Sequence, residues 1–231
     1  MTGTKMAAWV AAAGLLVVLG LVAWLRSPGE AEVPSPTLVA SAAEPQTEVD
    51  PQLAIRSKGD SAAPITIYEL SDFQCPWCRK FTVETLPLLE EEYIDPGKVR
   101  LVFINLPIPS LHPNAPAAHE FAMCAAAQDK FWPVHDLLFT HQDAWEGLDE
   151  PTDYFGDLAD SVALSGDALS DCLETGEMRQ LVMADVNSAM QAQLQQTPTF
   201  IIEGGVLAGA AEIQDWRPIL DSIYTAKTAA N

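Results

Sequence analysis

Asp72-Phe73-Gln74-Cys75-Pro76-Trp77-Cys78-Arg79-Lys80-Phe81 is the stretch on which the reading of this chain turns. Just before it, Ile65-Thr66-Ile67-Tyr68-Glu69-Leu70 alternates and carries β-branched residues, which predicts a strand. Just after it, Arg79 to Glu92 carries Phe81, Val83, Leu86, Leu88 and Leu89 and predicts a helix. Pro87 inside that helix removes a backbone donor and predicts a kink. Cys75 and Cys78 therefore stand where a strand ends and a helix begins. Two intervening residues let the sulfurs meet across one turn. The first cysteine lies at the helix N-terminus, where unpaired N–H groups and the macrodipole favour negative charge. That placement predicts a Cys75 pKa below the ~8.5 of a free cysteine. The thiolate is the species that attacks or leaves in thiol–disulfide exchange. Pro76 suits a first helical turn, which needs no donor. Arg79 and Lys80 add positive charge nearby.

Outward from this stretch the pattern continues. Asp95-Pro96-Gly97 is a turn and Val99 to Ile104 a second strand, so the chain opens strand–helix–strand, as in an open α/β sheet. A long helical stretch follows. It comprises alanine-rich Ala115 to Gln128, then Phe131 to His141, acidic Thr152 to Leu164, and Glu177 to Gln195. In the last, Val182, Val186, Met190 and Leu194 recur at i+4 and predict a core-facing stripe. Thr199 to Glu203 reads as a strand, Gly204-Gly205 as a hairpin turn, Val206-Leu207-Ala208 as the return and Ile213 to Thr225 as a closing helix. The expected order is β-α-β, a helical insertion at about 112–196, then β-β-α, within a globular part spanning 53–231.

The 231 residues carry a formal net charge of -20. Such acidity excludes nucleic-acid binding, which needs a basic face to displace counterions. It also disfavours adhesion to anionic lipid, and it reads as a solubility feature. Met6 to Leu25 is uncharged and long enough to cross the ~30 Å hydrocarbon core of a bilayer. A cleaved signal peptide is the rival, but its apolar region is usually only ~7–15 residues long. The nearest small-x-small site, Ala40-Ser41-Ala42, lies far beyond the apolar run. The expectation is a single N-terminal transmembrane helix within 1–26, amino terminus inside, with an extended acidic linker over 27–52. Either reading exports the C-terminal part to the periplasmic or outer face, where stable disulfides form.

Four cysteines are present: Cys75, Cys78, Cys124 and Cys172. A zinc site would need four ligands, and no second close Cys/His pair accompanies Cys75 and Cys78. His112, His119, His135 and His141 are spread over the helical region and read as packing or capping groups. The acidic run from Asp143 to Asp160 lacks EF-hand spacing and reads as a solvated face. No metal and no cofactor are expected.

Three segments resemble one family, the DsbA-like thioredoxin-fold oxidoreductases. The Asp72–Phe81 stretch is similar to its active-site segment. Thr197-Pro198-Thr199-Phe200-Ile201-Ile202, with Gly204-Gly205 and Gly209-Ala210 after it, is similar to its cis-proline loop. Cys124 to Trp132, with His135 to Phe139, resembles its helical insertion. The likeness covers roughly residues 62–226. It implies a thioredoxin-like α/β fold with an inserted helical domain. It implies that Cys75 is the attacking, solvent-exposed thiol and Cys78 the buried resolving thiol. It implies a cis Pro198 packed against the pair, with the Thr197 backbone, Pro76 and Trp77 meeting an extended client. Glu69, six positions before Cys75, matches the family's buried acid and would accept or relay the Cys78 proton. Cys124 and Cys172 would form a structural disulfide across the insertion, the alternative being two buried free thiols.

The family implies a protein thiol:disulfide oxidoreductase acting on cysteines of exported proteins, reoxidised by a quinone-linked membrane partner of the DsbB or VKOR type. A reductase or isomerase of the same fold, and a non-enzymatic binding or chaperone module, are the alternatives. The most oxidising family members carry histidine where this chain has Trp77. A neutral indole cannot stabilise the reduced thiolate as a histidine cation does. The helical insertion and Pro76 favour the oxidase, and nothing between residues 27 and 60 is large enough for the dimerisation domain of an isomerase.

Overall fold

The structure, a computed structural model, describes residues 39–40 and 51–229, all within one unit of the chain. Its strands are β1 (Val39–Ala40), β2 (Ser57–Lys58), β3 (Ile65–Ser71), β4 (Val99–Asn105), β5 (Thr199–Ile202) and β6 (Gly205–Ala208). They form one sheet in the order β1-β6-β5-β3-β4-β2. β3 and β4 run parallel, in register from Ile65↔Val99 to Ser71↔Asn105. β5 lies antiparallel on the other side of β3, with Thr199 opposite Leu70. This pairing brings the segment before Thr199 beside the loop that leaves β3, which is what assembles the site. The apolar segment 6–25 lies outside the described residues. Among the described residues no helix is long and apolar enough to cross a membrane.

The helices are α1 (Pro51–Ala54), α2 (Pro76–Lys80), α3 (Leu86–Leu89), α4 (Ala115–Ala126), α5 (Phe131–Thr140), α6 (Gln142–Trp145), α7 (Thr152–Ser161), α8 (Gly166–Thr175), α9 (Glu177–Gln191) and α10 (Ile213–Ala229). α2 and α3 belong to one run broken by π-helical turns at Phe81–Thr85 and Glu90–Ile94. Pro87 explains the first. It has no N–H to offer the preceding turn, and the ladder widens just before it, with the Leu86 N–H bonding the Phe81 carbonyl. This run and α10 pack on the sheet through Phe81, Leu86, Leu89, Trp216 and Leu220, against Ile65, Ile67, Val99 and Phe200. Helices α4 to α9 lie between β4 and β5 and build a second core around Phe73, Phe103, Phe121, Phe131, Phe139 and Trp145. β4 is buried at every position but Ile104, as a strand covered on both faces should be.

Four expectations need correction. Val39–Ala40 lies within the stretch expected to be an extended acidic linker ahead of the globular part, yet it joins the sheet by pairing with β6. The hairpin turn is Glu203-Gly204, with φ 49° and 75°, and Gly205 already begins β6. Two positive φ values at the centre of a two-residue turn give the I′ geometry that matches strand twist. Met190 is 51% exposed, so the α9 stripe does not stay in the core. Residues spaced by four advance about 40° beyond a full circle each time, so Val182 is buried and Val186 and Leu194 pack partly buried on the core, while Ala189 is buried where Met190 turns out. Finally, α8 follows α7 as a separate helix. Ser165 caps its start by accepting the Ala168 N–H, and Gly176 ends it at φ 64°.

Candidate active site

Cys75 is the N-cap of α2, in extended conformation, and Pro76 takes the first helical position. Both cysteines are free thiols. The Cys75 pKa is lowered to about 6, first by a hydrogen bond from Cys78, against burial, and then by Thr197 and the backbone N–H groups of Cys78 and Trp77. The Cys78 thiol is fully buried and moves the opposite way, well above its ordinary value, first through loss of solvent and then through its neighbour Cys75. The two sulfurs thus divide into a reactive and a reluctant thiol. Thr197-Pro198 is a cis peptide, and the Cys75 thiol donates to the Thr197 carbonyl at 3.6 Å. Pro198 is buried and Thr197 half-buried, while Pro76 and Trp77 are exposed.

Cys75 was expected to be solvent-exposed, and here the structure differs: it is only 4% exposed. Its sulfur turns under the Thr197-Pro198 loop, and the exposed surface beside it belongs to Trp77, at 59%. Arg79 and Lys80 do not stand free beside the sulfur. Arg79 pairs with Asp143 at 2.8 Å, and Lys80 with Glu84 at 2.7 Å and Glu212 at 3.7 Å.

Glu69 is fully buried on β3, and loss of solvent raises its pKa to about 7. Ser71, also fully buried, lowers both the Glu69 and the Cys78 values. Yet neither Glu69 oxygen nor the Ser71 hydroxyl makes a hydrogen bond of good geometry. The sequence therefore places an ionisable acid and a hydroxyl on the strand leading into the Cys78 pocket, two residues apart on one face.

Several side chains that hold the loop escaped the sequence reading. Asp72 accepts the Gln74 N–H at 2.8 Å, and its carbonyl accepts the Cys75 N–H at 3.0 Å. Gln142 of the insertion donates to the carbonyls of Phe73, at 2.7 Å, and Cys75, at 3.2 Å. The Asn114 N–H donates to Gln74 Oε1 at 2.8 Å. His119 is fully buried, and burial lowers its pKa to about 4, so it is neutral. Its Nε2 accepts the Phe73 N–H at 3.4 Å, which leaves the proton on Nδ1, 2.8 Å from Asn105 Oδ1. The available signal was polar residues set within apolar segments, such as His119 in the alanine-rich helix. Their partners lie far away in sequence, so pattern alone does not pair them.

Cys124 on α4 and Cys172 on α8 are disulfide-bonded, with Cα atoms 5.8 Å apart. Among the described residues no group of three or more potential metal ligands gathers.

A family model described as Thioredoxin matches residues 54–222. The chain belongs to the thioredoxin family. Within it the domain is of the DsbA-like thiol:disulfide oxidoreductase type. It is 31% identical over 153 residues to a probable disulfide bond formation protein D of Bacillus anthracis, covering 65% of this chain and 70% of that one. It is also 34% identical over 147 residues to a Na(+)/H(+) antiporter NhaA 3 of Salinispora tropica. That match covers 64% of this chain but only 21% of the antiporter, so the thioredoxin-family chain spans about a fifth of that relative's length. Among solved structures, alpha-DsbA1 of Wolbachia pipientis superposes with a TM-score of 0.69 at 22% identity, over 76% of this chain and 93% of that one. The DsbA-like fold, with its helical insertion, is common to both.

Proposed function

We propose that this protein oxidises cysteines of exported proteins by thiol–disulfide exchange through Cys75 and Cys78. The observation that carries the reading is the split between the two thiols at a helix N-terminus beside a cis-proline loop. Cys75 is low enough to be a good leaving group, and Cys78 is too high to be one unaided.

A client thiolate attacks Cys75 Sγ of the disulfide form, and the Cys75–Cys78 bond breaks. Its electron pair leaves on Cys78 Sγ, which takes a proton. Glu69, with a pKa of about 7, is able to give one and take it back. A second client thiolate then attacks the client sulfur of the mixed disulfide. Cys75 leaves as a thiolate and the client keeps the new disulfide. The Thr197 backbone would align the client as an added strand, and Pro76 and Trp77 offer it an apolar contact. A membrane partner of the DsbB or VKOR type would then remove the two electrons. In this reading residues 6–25 anchor the protein as a single-pass helix, residues 27–52 tether it, and the catalytic domain works on the extracytoplasmic side. The disulfide bond formation protein D relative supports that direction by its name.

The energetics keep a second reading in view. At pH 7 a thiol moved from 9.0 to about 6 stabilises the reduced form by about 1.4 kcal/mol, or roughly 30 mV for two electrons. With Trp77 neutral, that is a small step toward an oxidant, and a reductase or isomerase is the alternative.

Replacing Cys78 by serine removes the resolving thiol. Mixed disulfides of clients with Cys75 should then accumulate in cells and disappear on reduction, while Cys75→Ser forms none. A Cys78→Ser protein that captures no client would refute the exchange mechanism.

A further inference from the structure

The acidic stretch that follows α6 has no part in the scheme above, yet it is bonded to the active-site turn. Gln74 Nε2 donates to the Glu146 carbonyl at 2.9 Å, and Asn114 Nδ2 to the Leu148 carbonyl at 2.7 Å. The Asn114 N–H in turn holds Gln74 Oε1 at 2.8 Å. Residues 146–148 are therefore fixed to the residue that precedes Cys75. The loop after β4 is fixed in the same way, by the Ile108 N–H and His112 Nδ1 against Asp72 Oδ2, at 2.8 and 2.9 Å. Each fixed segment leaves a large apolar side chain in solvent. Leu148 is 40% exposed and Leu111 70%, and Trp77 of the turn itself is exposed. Three such side chains, all on segments tied to one reactive turn, are what a docking surface offers.

Charge decides what docks there. Glu146, Asp149 and Glu150 flank Leu148, and the last two are exposed. No lysine or arginine occurs between Lys130 and Arg179. Arg79, just after Cys78, is matched by Asp143 at 2.8 Å. The segment leading to Thr197 is uncharged and exposes Gln193, Gln195 and Gln196. A client thiolate approaching Cys75 thus meets an unbalanced negative rim. A cation beside the client's cysteine offsets that repulsion. It also lowers the pKa of the client's thiol, so that more of it is thiolate.

We propose that the exchange site selects client segments that carry a lysine or arginine and a large apolar residue beside the cysteine. The cation faces Glu146, Asp149 and Glu150, and the apolar residue meets Leu148, Leu111 or Trp77. The bonds made and broken are those of the exchange described above. The rim acts on encounter and orientation. This selection rests on the exchange reading and names the kind of client that reading leaves open.

The test follows exchange between the oxidised full chain and two-cysteine peptides of one sequence, with lysine, serine or glutamate beside the cysteines. Each rate is divided by that of the same peptide with hydroxyethyl disulfide, an uncharged reagent, which removes differences in thiol reactivity. The lysine peptide should be favoured over the glutamate peptide about tenfold at low salt, and much less at about 0.5 M salt. Glu146→Gln, Asp149→Asn and Glu150→Gln together should bring that preference down about fivefold. Removing as many charges from α7 and α8, by Asp160→Asn, Asp171→Asn and Glu174→Gln, should leave it as in the native protein. Leu148→Ser should slow peptides with leucine beside the cysteine about threefold and keep the charge preference. Equal normalised rates for all three peptides, a preference that survives the loss of the rim acids, or leucine peptides indifferent to Leu148→Ser would each overturn the proposal. So would equal losses in the two triple variants, the result expected if the field of the whole acidic chain were responsible. Failure of the exchange reading would show separately, as no peptide reacting with the Cys75–Cys78 disulfide at all.

Discussion

Glu69 keeps both carboxylate oxygens buried and unpartnered, and this sets the sign of a pH effect. Its pKa rises from 4.5 to about 7 on folding. Between those values the folded state holds a proton that the unfolded state has released, so stability falls as pH rises through the window, by up to roughly 3 kcal/mol. Glu69→Gln should remove that slope and make the reduced protein more stable in urea at neutral pH, while slowing exchange. An unchanged slope would mean that Glu69 does not titrate there. His119 acts oppositely. Its pKa falls from 6.5 to about 4 on folding, so stability is lost as pH drops through that interval. At this scale the placement of a residue was legible wherever a motif carried it: Cys75 and Cys78 at the start of a helix, Pro198 in a cis peptide beside them, and Glu69 buried on the strand before them. Asp72, His119 and Gln142 were not legible, because their meaning lies in partners brought together only by the fold.

The strand–loop–helix unit from β3 to α2 is the element the sequence announces most clearly, since alternation, a proline at the first helical position and the cysteine spacing all agree. Elements below that level of signal were missed for physical reasons. β1 and β2 have two residues each, too few for any periodicity, and exist as edges paired to β6 and β4. The first π-turn ends just before Pro87, where the sequence announced only a kink. α8 is short and mostly exposed, with Leu169 buried and Cys172 and Leu173 half-buried, and it is tied to α4 by Cys124–Cys172. That bond closes 48 residues of chain, worth about 4 kcal/mol in the chain-entropy model. Replacing both cysteines by alanine should lower the urea midpoint by a corresponding amount and leave client capture by Cys78→Ser intact. A folded but inactive double variant would give this disulfide a part in the chemistry.

Across the described residues, the two larger cores lie to either side of the Cys75 loop, with Phe73, Cys75 and Cys78 in the core of the insertion and Phe81 in the other, and a smaller third cluster gathers around Leu70, Leu106 and Ala189. The redox pair therefore sits where a change in either core is felt, and bonds from the insertion hold its backbone. The site's own basic residues are matched by acids. The direction of electron flow is a property of the whole fold, because it is the difference in stability between the dithiol and disulfide forms. The most direct measurement is the reduction potential of Cys75–Cys78 in the full chain, equilibrated against glutathione and read by tryptophan fluorescence. A disulfide donor predicts a value between about -180 and -120 mV, whereas one near -270 mV, that of thioredoxin, would contradict it and make the protein a reductant.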